Sequence, residues 1–182
     1  MAVQVPSMTT KEFEEFALLP QNVEQRLEFI AGEVVTLVSN QESSRLAMEF
    51  AVLIGSYLKN NPIGFITGAD GGYQVGNDRY IPDVAFMSKM RQAAASNEAY
   101  NPLPPDLAVE VISPTDDMGD VLAKVNNYQL AGTVVWVVYP NKKEIGVFVP
   151  GQTAKSLGVN DTLDGGTVLP GFTVVVKDIF GG

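Results

Sequence analysis

The stretch Leu107-Ala108-Val109-Glu110-Val111-Ile112 decides the fold, because it is a continuous apolar run interrupted by a single carboxylate. Such a run is typical of a strand that is buried on both faces of a sheet. Asp116 to Ala131 follows with apolar residues at helical spacing, and Thr133 to Tyr139 is a second β-rich run. This order of strand, helix and strand predicts two parallel strands joined by a right-handed crossover.

The segments before Leu107 are predicted to add a helix and short strands to the same core. Ser43 to Lys59 has apolar residues at helical spacing and is predicted to be the first core helix. Phe65 to Thr67, Tyr73 to Val75 and Tyr80 to Met87 are short, β-prone runs and are predicted to be strands. The core order is therefore helix, strands, the Glu110 strand, helix and strand, which is an α/β (α+β) arrangement.

Smaller elements are predicted at both ends of the chain. The N-terminal part contains a short amphipathic helix with a threonine cap and a β-hairpin with glycine at its turn. A proline-containing loop and several short strands follow later in the chain. The residues assigned to these elements are Thr9 to Phe16 for the helix, Arg26 to Ile30 and Glu33 to Val38 for the hairpin, Met90 to Pro105 for the loop, and Glu144 to Val149, Thr167 to Leu169 and Phe172 to Val176 for the strands.

The composition predicts a single domain over residues 1–182 and a cytoplasmic location. A chain of 182 residues with 46% hydrophobic side chains is long enough to bury one sizeable core. It has no cysteine, which fits a reducing compartment and excludes disulfides and thiolate chemistry. The first residues lack the pattern of a signal peptide, and the apolar stretch Val134 to Tyr139 is too short to cross a bilayer. No membrane association is expected.

The charged residues restrict the chemistry further. The chain has no histidine, so any acid-base chemistry must use carboxylates, lysine, tyrosine or metal-bound water. Its formal net charge of −9 argues against loose binding of nucleic acid over the whole surface. A nucleic-acid partner would need a local basic rim, or a bound metal ion that neutralises part of the charge.

Two carboxylates, Asp83 and Glu110, stand inside otherwise apolar strand sequence. A buried ionised carboxylate is costly without a partner, so both would require a cation if they face the core. The alternative is that each side chain lies on the solvent-facing side of its strand, which the alternation of strand residues allows. Lys124 on the following helix is a candidate partner, although it is equally compatible with a solvated helix lysine.

A set of short motifs, which together span nearly the whole chain, carries a resemblance to a known family. They are Arg26 to Glu33, Pro82-Asp83-Val84-Ala85-Phe86, Pro105 to Pro114 around Glu110, Lys124 with Tyr128 and Gly132, Val135 to Pro140 around Trp136, and Leu169-Pro170-Gly171-Phe172. In this order and spacing the sequence resembles the PD-(D/E)xK endonuclease-like proteins, and among them the Uma-two family of restriction-endonuclease-like proteins.

The resemblance implies a restriction endonuclease-like core of helix, three strands, helix and strand, with an N-terminal helix and β-hairpin and extra C-terminal strands. It also implies that Asp83 and Glu110 lie on adjacent strands and hold Mg²⁺ or Mn²⁺, with help from the backbone carbonyl of Val111. Hard divalent cations prefer such oxygen ligands. The implied activity is hydrolysis of DNA phosphodiester bonds, with Lys124 as the third catalytic residue. A homodimer is expected, because cleaving two strands usually takes two sites.

The sequence departs from the family pattern at two positions. Ile112 stands where the motif has its lysine, and the resemblance suggests that Lys124 replaces that lysine. Ser43 stands where many relatives carry histidine at the start of the first core helix, so activity is expected to be weakened or lost there. Two auxiliary residues are also implied. Glu28 is either close to the metal or a surface charge on the hairpin, and Ser113 either bonds Glu110 or phosphate, or caps the Pro114 turn.

Three functional hypotheses follow from these patterns. The first is a metal-dependent endonuclease that acts on DNA. The second is an inactive descendant of the same fold that binds nucleic acid or protein, which the acidic composition and the missing histidine favour. The third is an interaction domain whose carboxylates are surface charges.

Overall fold

The protein is described by a computed structural model that covers residues 8–114 and 116–181. The helices are α1 (Thr10–Ala17), α2 (Gln41–Asn60), α3 (Met118–Leu130) and α4 (Val176–Phe180). The strands are β1 (Leu27–Ile30), β2 (Glu33–Thr36), β3 (Gly64–Gly68), β4 (Gly72–Val75), β5 (Asp78–Tyr80), β6 (Val84–Ser88), β7 (Tyr100–Asn101), β8 (Leu107–Val111), β9 (Val134–Tyr139), β10 (Glu144–Phe148), β11 (Lys155–Leu157), β12 (Thr162–Asp164) and β13 (Thr173–Val175).

The central sheet has six strands in the order β11-β10-β9-β8-β6-β3. Strands β8 and β9 are parallel and are connected through α3, whereas β8 and β6 are antiparallel. Helix α2 packs its buried residues Leu46, Phe50 and Ile54 onto one face, in a cluster with Trp136 of β9. Val125 and Tyr128 of α3 belong to a second cluster that includes residues from the other face. The predicted core of helix, three strands, helix and strand is therefore confirmed as α2, β3, β6, β8, α3 and β9.

A second sheet has five strands in the order β2-β1-β5-β4-β7. It corrects the prediction of one strand from Tyr80 to Met87, because that segment contains the end of β5 and most of β6, which belong to different sheets. The chain passes from one sheet to the other at Ile81, Pro82 and Asp83. Pro82 has no amide proton to donate to a ladder, so it is suited to this break. Asp83 thus lies at a crossing between sheets and immediately before β6.

The N-terminal elements match their predictions. Helix α1 has a capping box, in which the Thr9 and Glu12 side chains each accept a hydrogen bond from the backbone of the other. The hairpin of β1 and β2 turns at Ala31 and Gly32, both of which have positive φ. Glycine adopts this conformation without steric cost, which explains its place in the turn.

The C-terminal prediction was wrong in part. Thr167 to Leu169 is a turn rather than a strand, because it leads into Pro170 and Gly171, and Gly171 has a φ of 83°. Leu169 is fully buried in this turn, so its apolar character reflects core packing. The predicted strand at Phe172 to Val176 contains β13, and β10 occupies the predicted hairpin position. The short elements β11, β12 and α4 were not predicted.

In the residues that the structure describes, no helix has the length and apolar character needed to span a membrane.

Candidate functional site

Four charged side chains from separate parts of the fold are among the residues that line one cavity of about 520 Å³. They are Glu28 on β1, Asp83 before β6, Glu110 on β8 and Lys124 on α3, and we call the space the carboxylate cavity. The pairing of β6 with β8 explains why two of them meet. Val84 lies opposite Val109, and one step further along this antiparallel pair brings Asp83 opposite Glu110 on the same face. Both carboxylates therefore line the same cavity, and the prediction that their oxygens share one cation stays a prediction.

Lys124 lies between two of the carboxylates. Its Nζ atom is 2.8 Å from Glu28 Oε1 and 3.1 Å from Glu110 Oε2, and only 12% of its side chain is exposed. Burial alone would lower the pKa of Lys124, but Glu110 and Glu28 outweigh burial and raise that pKa well above its ordinary value. The expectation that Lys124 reaches back to the strand carboxylates is confirmed, and the solvated-lysine alternative is wrong. Its catalytic role stays a prediction.

Glu110 is buried, and its two oxygens have different partners. Oε2 faces Lys124, whereas Oε1 accepts a hydrogen bond of 3.2 Å from the Tyr128 hydroxyl. Burial raises the pKa of Glu110, Lys124 opposes this effect, and the nearby Glu28 and Asp83 raise the pKa further. The net direction is upward, because a buried carboxylate beside two others is stabilised in its protonated form.

Asp83 is oriented by the backbone of β8. Its Oδ2 accepts a hydrogen bond of 2.8 Å from the Val111 amide, and its Oδ1 lies 3.9 Å from Arg26 Nη2. Burial raises the pKa of Asp83, and the Val111 amide, Lys124 and Arg26 partly counteract it. The sequence resemblance assigned the Val111 carbonyl to a metal ion. In the structure the Val111 amide holds Asp83, and the role of the carbonyl stays a prediction.

Glu28 is not a surface charge, since it is 1% exposed. Its Oε1 accepts a hydrogen bond of 2.7 Å from the Ile81 amide and also faces Lys124. The alternative of a solvated hairpin glutamate is therefore wrong. Residue Glu28 belongs to the same buried charge cluster as Glu110 and Lys124.

The two serines of the prediction also line the carboxylate cavity. The Ser113 amide and hydroxyl donate to the Asp116 carboxylate at 2.7 and 3.1 Å, so Ser113 takes part in the turn around Pro114, and a bond from Ser113 to Glu110 or phosphate stays a prediction. Ser43 is the third residue of α2 and is 3% exposed. Its amide donates to Asn40 Oδ1, the side chain that caps the helix.

Sequence reasoning gave no role to three residues at this site. Tyr128 touches Glu110, the Tyr80 ring lies 5.5 Å from Lys124 Nζ, and Arg26 lies beside Asp83. Spacing signals for two of them were present. Tyr128 follows Lys124 by four residues on a helix, and Arg26 precedes Glu28 by two residues at a strand, so each pair shares a face. No local signal pointed to Tyr80, because it lies in the other sheet.

The donor set fits a hard divalent cation. Among the described residues no group of three carboxylates is gathered tightly enough to form a ready metal cluster. Mg²⁺ needs only one or two carboxylates, however, because it keeps several of its waters. Asp83 Oδ1 has only a long contact with Arg26, so it is available as a ligand next to Glu110. The carboxylates of Glu28, Asp83 and Glu110 also outnumber the two cations beside them, Lys124 and Arg26, so a divalent ion would improve the charge balance.

The order and pairing of the core elements define a restriction endonuclease-like fold. The chain belongs to the Uma2 family, described as "Putative restriction endonuclease", which matches residues 13–177. Its structure is similar to the crystal structure of a "putative nuclease belonging to DUF820" from Anabaena variabilis. That similarity has a TM-score of 0.83 at 20% sequence identity, and covers 95% of this chain and 97% of the other. No curated protein matches the chain.

Proposed function

We propose that this protein is a divalent-metal-dependent endonuclease that hydrolyses phosphodiester bonds in DNA. The observation that carries the proposal is the meeting of Asp83, Glu110 and Lys124 in one cavity of a chain that belongs to a restriction-endonuclease family. The name of the structural neighbour adds support for nuclease chemistry, since that protein is described as a nuclease. Buried like charges reduce the stability of the fold, so their presence in one cavity is more readily explained by a function than by folding.

In this proposal Asp83 and Glu110 hold Mg²⁺ or Mn²⁺, and the Val111 carbonyl is a further candidate ligand. The ion, when bound, would polarise the scissile phosphate and lower the pKa of a water molecule. The protein's own residues prepare this chemistry. The Val111 amide and the Tyr128 hydroxyl orient the two carboxylates, and Lys124 holds a positive charge beside them. That charge would stabilise the negative charge that develops on phosphate oxygens.

DNA is the proposed substrate and a homodimer the proposed assembly, because cleaving both strands of a duplex usually requires two sites. The overall charge of −9 makes the bound cation part of substrate recognition as well as of catalysis. Without it the phosphates would meet a cavity in which acidic side chains predominate.

Release of acid-soluble product from single- and double-stranded DNA tests the activity. We expect hydrolysis with Mg²⁺ or Mn²⁺, none in chelator, and poor activity with Ca²⁺, whose coordination geometry is looser. Calorimetric titration with Mn²⁺ tests the ion site. Asp83→Ala is expected to lose binding, whereas Asp70→Ala removes an exposed aspartate and serves as the matched control. Equal hydrolysis in chelator and in Mn²⁺ would contradict the proposal.

The second candidate is a binding module without activity. Ser43 favours it, because this position carries histidine in many relatives according to the resemblance. If wild-type protein binds DNA but releases no product with any metal, Ser43→His is the variant to examine. Activity gained by this variant would locate the loss at that position, and continued inactivity together with DNA binding would support the binding module.

A further inference from the structure

Two buried polar atoms of this structure lack a hydrogen-bond partner among the described residues, namely Arg26 Nε and Ser43 Oγ. Such groups are rare in folded proteins, because an unsatisfied buried donor loses its bonds to water without replacement. Both residues line the carboxylate cavity. Both polar atoms thus belong to residues of one cavity and have no protein partner there among the described residues.

Arg26 is the cation of the cavity whose donors are not fully used. The other cation, Lys124, is held by two carboxylates at 2.8 and 3.1 Å. The Arg26 guanidinium has an ion pair only at 3.9 Å, with Asp83, and its side chain is 27% exposed. A guanidinium presents several N–H donors in one plane and matches two oxygens of a phosphate group. Arg26 therefore has both the charge and the free donors to bind a phosphate.

Ser43 lies where the carboxylate cavity meets a second cavity of about 350 Å³. It lines both, as do Val38, Ser39, Ile112 and Ser113. Its position in the first turn of the 20-residue helix α2 places it at the positive end of a helix dipole. A serine hydroxyl rotates freely, so it can donate to an anionic oxygen that occupies this junction.

We propose that Arg26 and Ser43 form a phosphate-binding subsite, which receives a backbone phosphate of the nucleic acid adjacent to the one at Asp83 and Glu110. The identity of the ligand rests on the proposed function, whereas the subsite rests on the two unpartnered donors. Three exposed acidic residues also line the cavity and would repel a phosphate, so the positive charge of Arg26 is needed to attract one. They are Asp116, Asp117 and Asp120. Among the cavity-lining residues that the structure describes, Arg26 and Lys124 are the two cations, so loss of Arg26 would leave Lys124 alone.

Fluorescence anisotropy with short labelled single-stranded and double-stranded DNA tests the subsite in the presence of Ca²⁺, which is expected to bind without rapid cleavage. Arg26→Gln is expected to weaken binding about tenfold or more and to reduce the slope of log affinity against log salt by about one. Arg26→Lys is expected to restore the slope but only part of the affinity, because it keeps the charge and loses the planar fork. Ser43→Ala is expected to weaken binding about threefold to tenfold without a change of slope.

Arg45→Gln is the matched control for charge. Arg45 is paired with Glu42 on the same helix and does not belong to the lining of the carboxylate cavity. Its loss changes the net charge equally and is expected to alter DNA affinity less than about twofold. Thermal unfolding controls for misfolding. Ser43→Ala is expected to keep the wild-type Tm, because the Ser43 hydroxyl has no hydrogen-bond partner to lose among the described residues. Thr133→Val is the comparison variant and should lower the Tm, because the Thr133 hydroxyl donates to the Pro105 carbonyl at 2.6 Å.

The outcomes separate this subsite from the proposed activity. Wild-type cleavage of DNA in Mn²⁺ together with unchanged affinity, salt slope and KM in Arg26→Gln would overturn the subsite and leave the nuclease standing. Binding without cleavage by wild-type protein, with weaker binding by Arg26→Gln, would support the subsite and reject the nuclease. Equal losses for Arg26→Gln and Arg45→Gln would overturn the subsite, as would the absence of DNA binding by wild-type protein at low salt.

Discussion

Glu110 and Asp78 are both buried carboxylates beside a cavity, but their surroundings differ. Asp78 lines a cavity of about 700 Å³, which is larger than the carboxylate cavity. Its Oδ2 accepts hydrogen bonds from the Tyr80 hydroxyl at 2.7 Å and the Asn127 amide at 2.8 Å, and its Oδ1 accepts one from the Ala31 amide at 3.1 Å. Neutral donors therefore surround this carboxylate.

Glu110 instead shares its surroundings with other charges. It faces Lys124 and one tyrosine hydroxyl, and it lies near Glu28 and Asp83, which raise its pKa. The Asp78 network ties the β1–β2 turn to β5 and α3, so it contributes to the fold. Around Glu110, by contrast, the carboxylates of Glu28, Asp83 and Glu110 outnumber the cations Lys124 and Arg26. The comparison shows that unbalanced charge, rather than cavity size, locates the candidate chemistry in this molecule.

The largest expected difference between the two carboxylates is in activity. Glu110→Gln keeps the shape of the side chain but removes the charge that is proposed to hold the ion. Hydrolysis at limiting Mn²⁺ is expected to fall at least about 100-fold, because loss of even an outer-shell partner of a metal can cost that much and Glu110 is proposed as a direct ligand. Partial recovery is expected in excess metal. Asp78→Asn, assayed on folded protein by release of acid-soluble DNA, should retain most activity. Similar losses in both variants would remove the distinction.

Lys124 provides a test of the charge balance inside the carboxylate cavity. Lys124→Ala removes a cation that competes with metal for Glu110, so Mn²⁺ affinity measured by calorimetry should be unchanged or higher. Turnover at saturating Mn²⁺ should fall about 10-fold to 100-fold, because a charge that stabilises the transition state is lost. Lys59→Ala, at the exposed end of α2, should change neither quantity. Wild-type turnover in Lys124→Ala would reject a catalytic role.

The order of the two variants should reverse when stability is measured, with Asp78→Asn losing more free energy of unfolding than Glu110→Gln. Asp78→Asn replaces an oxygen that faces donors with an NH₂ group, and is expected to reduce the free energy of unfolding by about 1–2 kcal/mol. Glu110→Gln should cost less or stabilise the metal-free protein at neutral pH, because it removes a buried carboxylate whose pKa is raised. Urea unfolding of both variants measures this difference. A larger loss for Glu110→Gln would mean that its ion pair with Lys124 stabilises the fold more than burial of the carboxylate destabilises it.

The smallest expected effect is the dependence of ion binding on pH. Burial raises the pKa of both Asp83 and Glu110, so these groups hold protons to higher pH than ordinary carboxylates do. Because a bound cation must displace those protons, Mn²⁺ affinity should rise as pH increases toward the raised pKa of Glu110. The rise is at most about tenfold per pH unit for each proton released. Calorimetry in buffers of different ionisation enthalpy would detect the released protons, and a flat pH profile would indicate ionised ligands.

Much of the fold was predictable because its signals are local. The apolar runs Leu107 to Ile112 and Thr133 to Tyr139 and the helix between them predicted the parallel pair β8 and β9, which the structure contains. The resemblance identified Asp83, Glu110 and Lys124, whose meeting the structure shows. Their roles in catalysis are still predictions. The C-terminal strand at Thr167 to Leu169 was mispredicted, since a buried leucine in a turn carries the same apolar signal as a strand.

By itself, then, the sequence determined the order of core elements and the types of charged residue available to the site, because periodicity and composition are properties of neighbouring residues. Only the tertiary structure decided that Tyr80 ends a strand of one sheet while Asp83 directly precedes a strand of the other, that Glu28 is buried against Lys124, and that Arg26 and Ser43 line one cavity. These relations join residues that are distant along the chain. The packing of two sheets and two helices creates them, and no local pattern specifies where a buried charge will find its partner.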